Sequence, residues 1–250
     1  MKIQKPYKRI IRPFSLPSNY IHGPLENIYF ADDKYAADRF EIIRAYYILE
    51  KDLIRLFDFI EPTDTNLSTY SHKTYELLLR ASTEFELNAR KILTANGYAK
   101  SSYWNVNDYY KLNTAMRLSE YRLFINVWGN GKKEIVPFSE WASASTLSWY
   151  QDYNSVKHNR HDEFPKASLK NVLFAVGAVF SIVFAQFHML IFNQYQNTSS
   201  WRSDDNYELS GTNTLFSVIL PQTWCKNEMY DFHWKDLKGS VDPCQKFVFQ

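Results

Sequence analysis

Cysteine is nearly absent: Cys225 and Cys244 are the only 2 in 250 residues. Two thiols make no disulfide framework, and with no C-x-x-C pair there is no zinc or dithiol redox motif. Neither thiol stands near a histidine in a way that suggests a nucleophile. A reduced, cytoplasmic setting is the plain expectation, in which the sequons at Asn66 and Asn197 carry no weight. Glycine is also scarce, at 7 residues, which argues against a many-turned all-β fold. None of the patterns G-x-x-x-x-G-K-S/T, G-x-G-x-x-G or G-x-S-x-G occurs, so phosphate-cradling loops and a nucleophile elbow are excluded.

Charge of one sign is missing in two places. No acidic residue precedes Glu26, while Lys2, Lys5, Lys8, Arg9 and Arg12 stand ahead of it. That arm could touch a polyanion or could simply be solvated; with no apolar run behind the charges it does not read as a signal peptide. The whole chain, at net charge +2, carries no field that would by itself draw in nucleic acid. The second gap runs from Asn171 to Trp201, without a charged residue of either sign. Its apolar part, 171–192, is long enough to span a bilayer. However, Ser181, Gln186 and His188 lie inside it and no Lys or Arg cluster closes it. The expectation is therefore the buried central helix of a bundle, with a membrane-attached protein as the alternative.

What is abundant is apolar and aromatic: 45% hydrophobic residues, with 18 Tyr and 18 Phe. This suffices for a real core and excludes global disorder. Along the chain, Pro6, Pro13, Pro17 and Pro24 punctuate an extended arm over 1–32. Helical spacing of Ala36, Phe40, Ile43, Tyr47, Ile54 and Phe57 predicts a helix from Asp33 to Ile60. A second helix is expected from Ser71 to Ala95, stopped by Asn96-Gly97 and carrying Glu76–Arg80 and Glu86–Arg90 pairs. A third runs near Val106 to Leu118. The period then changes to two: Leu123, Ile125 and Val127 alternate ahead of Gly129-Asn130-Gly131, which predicts a β-hairpin near 121–138. Helices from Thr146 to Arg160 and from Pro165 to Phe192 follow, then short strands at Thr214–Leu220 and Lys246–Phe249. The expected architecture is mainly α: a helical bundle over 33–192 with an inserted β-hairpin, and a small irregular or β extension over 193–250.

Chemistry concentrates on Tyr150 to Glu163. On a helix, Asn154 and His158 stand one turn apart on the same face, with His161 on the next turn and Lys157 and Arg160 beside them. An imidazole, an amide and two cations can bind a phosphate diester and move a proton. The same residues would also complement the helix C-terminal dipole without any function. A metal site is a third reading, through His158, His161, Asp162 and Glu163, but it lacks the i,i+4 spacing of H-E-x-x-H. No metal or other cofactor is expected.

The run Tyr153-Asn154-Ser155-Val156-Lys157-His158-Asn159-Arg160, followed by the apolar helix Ala167 to Phe192, resembles the closing helices of HEPN-superfamily proteins. The segment Glu76 to Glu86 is similar in style to that family's preceding core helix, so the resemblance covers about Ser71 to Phe192. It implies a helical bundle that dimerises and, in active members, a metal-independent ribonuclease centre shared across the dimer. There an Arg followed by a polar residue precedes a His by a few residues. Asn154 and His158 match the polar residue and the His. The Arg is not matched, because the allowed places hold Tyr153, Asp152 and Gln151. The resemblance thus implies a homodimeric protein of a defence or toxin–antitoxin type that binds RNA or a protein partner without catalysis. The alternative is an endoribonuclease with His158 and Asn154 catalytic and Lys157, Arg160 and His161 binding.

Overall fold

The computed structural model describes residues 2–15, 28–100, 102–129, 131–196 and 215–250. Its described helices are α1 (Asp33–Ala36), α2 (Arg39–Leu56), α3 (His72–Ala95), α4 (Val106–Met116), α5 (Ser148–His158), α6 (Arg160–Glu163), α7 (Leu169–Gln196) and α8 (Trp234–Leu237). Three strands, β1 (Arg122–Trp128), β2 (Gly131–Ile135) and β3 (Phe216–Ile219), form an antiparallel sheet in the order β2-β1-β3. The protein is mainly helical with an inserted hairpin, as its hydrophobic periodicity predicts.

Local chemistry sets the boundaries. Ser71 is extended and opens α3 with a reciprocal cap: its Oγ accepts from the Thr74 amide at 3.2 Å, and Thr74 Oγ1 accepts from the Ser71 amide at 2.7 Å. Such a cap stabilises a helix by about 1 kcal/mol. Gly97, at φ +86°, takes the chain out of α3 in the left-handed region that glycine enters without steric cost. The helix expected over 33–60 is interrupted at Ala37 and Asp38. There Asp38 pairs with Arg9 and, at 2.5 Å, with Lys91. Of the expected stripe, Ile43 and Tyr47 are buried, together with Ile42, Tyr46, Leu49, Leu53 and Leu56, while Phe40 and Ile54 face solvent. The i,i+4 pairs expected on α3 do not form. Arg80 reaches across to Asp52 at 2.6 Å, Glu76 pairs with Lys73, and Glu86 accepts from the Tyr150 hydroxyl.

α7 is the centre of the bundle, packed against α2, α3 and α5. Ala175, Val179, Ile182 and Phe187 are all buried. The span Leu169–His188 is long and apolar enough to cross a membrane, and it is mostly covered by the rest of the chain. Each fully buried Val, Ile or Phe there contributes roughly 1.5–3 kcal/mol. Where α7 crosses the hairpin it carries Gly177, because a Cβ there would lie 2.9 Å from Ile135 Cδ1 and 3.1 Å from Leu123 Cδ1. The helix breaks at His188, whose φ is +57°. Carbonyls just before the break find partners elsewhere: Ala185 O accepts from the Ile11 amide at 3.0 Å and Gln186 O from the Tyr35 hydroxyl at 2.8 Å.

Both flanking segments join the same hydrophobic cluster, through Ile3, Ile10, Ile11 and Phe14 on one side and Leu215, Phe216, Tyr230 and Phe232 on the other. The cations of the arm find partners on the rest of the fold, and Arg12 alone of those that follow is buried. Lys2 pairs with Asp231 at 2.5 Å, Lys8 with Asp242 at 3.8 Å, Lys5 donates to the Asp242 carbonyl, and Arg12 is buried over the rings of Tyr7, Trp224 and Phe247. β3 adds to β1 rather than standing apart, and its entry is tied to α2 by Glu50. That buried carboxyl accepts from the Leu215 amide and the Tyr46 hydroxyl, each at 2.8 Å, and burial pushes its pKa up to about 7. Residues Lys246–Phe249, expected as a strand, pair with no strand among the described residues. Phe247 and Phe249 instead pack on each other, 5.0 Å between ring centres.

Candidate functional site

α5 is held to the bundle by Trp149, Tyr150, Tyr153 and Val156, all buried. Trp149 Nε1 donates to the Pro137 carbonyl at 2.9 Å, and the Tyr150 hydroxyl donates to Glu86 Oε1 at 2.8 Å. Burial, reinforced by the Glu86 charge, holds the proton on Tyr150 and raises its pKa. With those side chains inward, a 100° step per residue turns Asn154 and His158 outward. Asn154 is half-buried and His158 exposed. Lys157 lies between the two faces. Its Nζ donates to the Tyr153 hydroxyl at 3.1 Å and sits 5.2 Å from that ring's centre, and the hydrogen bond raises its pKa. Lys157 is therefore a lasting positive charge rather than a proton donor.

The expectation that His161 continues the α5 face is not met. α5 ends at Asn159, whose φ of −139° and ψ of 67° leave the helical region, and whose side-chain amide donates to Asp162 Oδ2 at 2.9 Å. His161 thus belongs to α6, a separate turn. α6 and the tight turn Phe164–Lys166 fold back onto the start of α3. There the Phe164 ring lies 5.0 Å from His72, 5.4 Å from Tyr70 and 6.0 Å from Tyr75, and the Arg160 guanidinium stands 5.8 Å from the centre of Tyr75. Tyr70, His72 and Tyr75 therefore join the corner, although nothing local in the sequence connects them to residues 158–164.

The corner carries charges of both signs. Lys73 pairs with Glu76 at 2.9 Å and Lys166 with Glu163 at 2.6 Å, and Lys166 also stands 3.9 Å from Asp152. Lys157, Arg160 and Lys170 have no carboxylate partner among the described residues, and neither His158 nor His161 makes a hydrogen bond or ion pair there. Beside Tyr70, between residues 67–70 and the start of α7, lies an open cleft of about 620 Å³. Ser68, Asp152, Lys166, Lys170 and Asn171 contribute to its lining. Asn171 Nδ2 donates to Asp152 Oδ2 at 2.9 Å and to the Lys166 carbonyl at 2.8 Å, which fixes the floor. Among the described residues, no group of three or more His, Cys, Asp and Glu side chains is placed to hold a metal.

Cations beside rings suit a phosphate chain carrying flat bases. Acid–base chemistry is less well served, because an efficient general base is held by a second group, and no described side chain holds His158. Fold and site together define a helical bundle with an aromatic corner on which Lys157 and Arg160 lie beside rings. No known protein family, no curated protein and no solved structure matches the chain.

Proposed function

We propose that this chain is a HEPN-like RNA-binding protein of a defence or toxin–antitoxin type, working as a homodimer and without catalysis of its own. The observation that carries the reading is the corner itself: Arg160 beside the ring of Tyr75, which meets Phe164, and Lys157 over the ring of Tyr153, with His158 and His161 exposed on the same stretch of chain. Phosphate contacts supply most of the affinity of such a surface and make it depend on salt. The family assignment and the dimer rest on the resemblance of residues 153–160 and the helix that follows them. The unmatched Arg position and the unsupported imidazole favour binding over cleavage.

One feature favours the second reading, a metal-independent endoribonuclease. Asn154 and His158 face outward one turn apart, where a second protomer could close over them. Both readings meet in one experiment: labelled single-stranded RNA is incubated with the protein, with and without EDTA, alongside His158→Ala, Lys157→Ala and Arg160→Ala. Binding without cleavage is expected. Each cation variant should lower the salt slope by about 0.7, the value of one phosphate contact on a single strand. EDTA-resistant cleavage lost in His158→Ala would establish the enzyme instead, with a drop of about 10²–10⁴-fold. If no RNA is bound, the corner serves a protein partner or only the fold. Sedimentation of the same samples reads the dimer; a monomer at high micromolar concentration removes the shared site.

A further inference from the structure

We propose that the cleft beside Tyr70 receives one unpaired base of a single-stranded RNA, stacked on the Tyr70 ring, while Arg160 and Lys157 hold phosphates farther along the strand. This rests on the RNA-binding reading above and names the form of RNA. Tyr70 is 46% exposed, one of the large apolar side chains that the fold leaves in water. Its ring meets Phe164 edge-on, at an interplanar angle of 80°, and no described ring is stacked on it. A flat base can therefore take a place that the fold leaves open.

The platform is fixed before any ligand arrives. The Leu169 amide donates to the Thr69 carbonyl at 2.8 Å and the Lys170 amide to the Leu67 carbonyl at 2.9 Å, and Tyr70 itself pairs with Ser168 as an antiparallel bridge. Binding then orders little protein, which lowers its entropic cost. The cleft wall offers both kinds of hydrogen-bonding group to a base edge: Lys170 and Ser68 as donors, and the Asp152 carboxylate as an acceptor. Tyr70 is joined to Arg160 through contacting rings, Tyr70 to Phe164 to Tyr75, so stacking platform and cation lie on one continuous surface. A duplex cannot use that surface in this way. Its bases are already stacked on both faces, and the A-form major groove is too deep and narrow for side chains to read.

The test uses fluorescence anisotropy with a short labelled oligoadenylate, the same strand annealed to oligouridylate, and a strand of equal length with abasic sites at its centre. The intact single strand should bind most tightly, with the duplex and the abasic strand each about 10-fold weaker, as expected for the loss of one stacked base. Tyr70→Ala should bring the intact strand down to the abasic level without changing the salt slope, and Tyr70→Phe should restore it. Circular dichroism melting checks that both variants fold. If the abasic strand binds as tightly as the intact one, or if Tyr70→Ala changes nothing while Arg160→Ala still weakens binding, the stacking site is overturned and RNA binding survives. If the parent binds none of the three, the RNA reading itself falls, and this inference with it.

Discussion

Glu50 gives the sharpest test of how the extension is fastened to the bundle. Its carboxyl is 2% exposed, takes two hydrogen bonds on one oxygen, and has a pKa of about 7 against an ordinary value of 4.5. Burial disfavours the charged form, while the Leu215 amide and the Tyr46 hydroxyl favour it without fully offsetting the burial. Because the folded pKa is raised, the folded state holds a proton that the unfolded chain has lost between pH 4.5 and 7. The contribution is complete below pH 4.5 and is lost as pH rises through 7. A gap of about 2.5 units corresponds to about 3 kcal/mol, or about 6–12 °C in melting temperature for a chain of this size. Urea unfolding at pH 5 and at pH 7.5 reads it directly. The parent should be the less stable at pH 7.5, and Glu50→Gln, whose amide oxygen can still accept both bonds, should flatten the difference. Asp38 and Asp108, whose pKa values are lowered by lysine and other donors despite their burial, act in the opposite sense and only at more acid pH. A pH dependence over 5–7.5 that persists unchanged in Glu50→Gln would refute the reasoning.

Gly177→Ala should cost about 1–2 kcal/mol in urea unfolding, since crowding against Ile135, Leu123 and the stiff Pro137 ring outweighs the gain in helix propensity. Gly239→Ala, where a Cβ meets nothing within 4 Å, is the control and should stay within about 0.5 kcal/mol. Val179→Asp buries a carboxylate with no cation on its helix face and should cost at least about 3 kcal/mol. A Val179→Asp variant that melts like the parent would mean that α7 is not the core helix.

Elements whose signal is local were legible. The start of α3 near Ser71, the Asn96-Gly97 stop, the hairpin strands on either side of residue 130 and the apolar run of α7 each declare themselves within a few residues, and each stands where it was expected. What long-range contacts decide was not. The break between α1 and α2 falls at Asp38, which meets Arg9 and Lys91 from elsewhere in the chain, and the Arg80 partner is chosen by the neighbouring helix rather than by its own. The candidate site shows the same division. Asn154, Lys157, His158 and Arg160 were visible as a run, but Tyr70, His72 and Tyr75 come from a helix start far away in sequence. Only the backward turn at Phe164 brings them in.

The pairing of residues 3–14 with residues 230–245 has a kinetic consequence. Ile3 and Phe14 bridge to Tyr230, Tyr7 bridges to Gln245, and the Tyr230 hydroxyl donates to the Ile10 carbonyl at 2.7 Å. During synthesis residues 3–14 leave the ribosome long before those partners exist, and contacts so distant in sequence form slowly because the loop must close first. Until Tyr230 arrives, Ile10 and Phe14 lack much of their seat, and the Ile11 amide likewise waits for the Ala185 carbonyl at the α7 break. Residues 3–14 therefore stay unprotected while the more than 200 residues between them and Tyr230 are made, in the window when chaperones act. Residues made before the bundle find their places only after it.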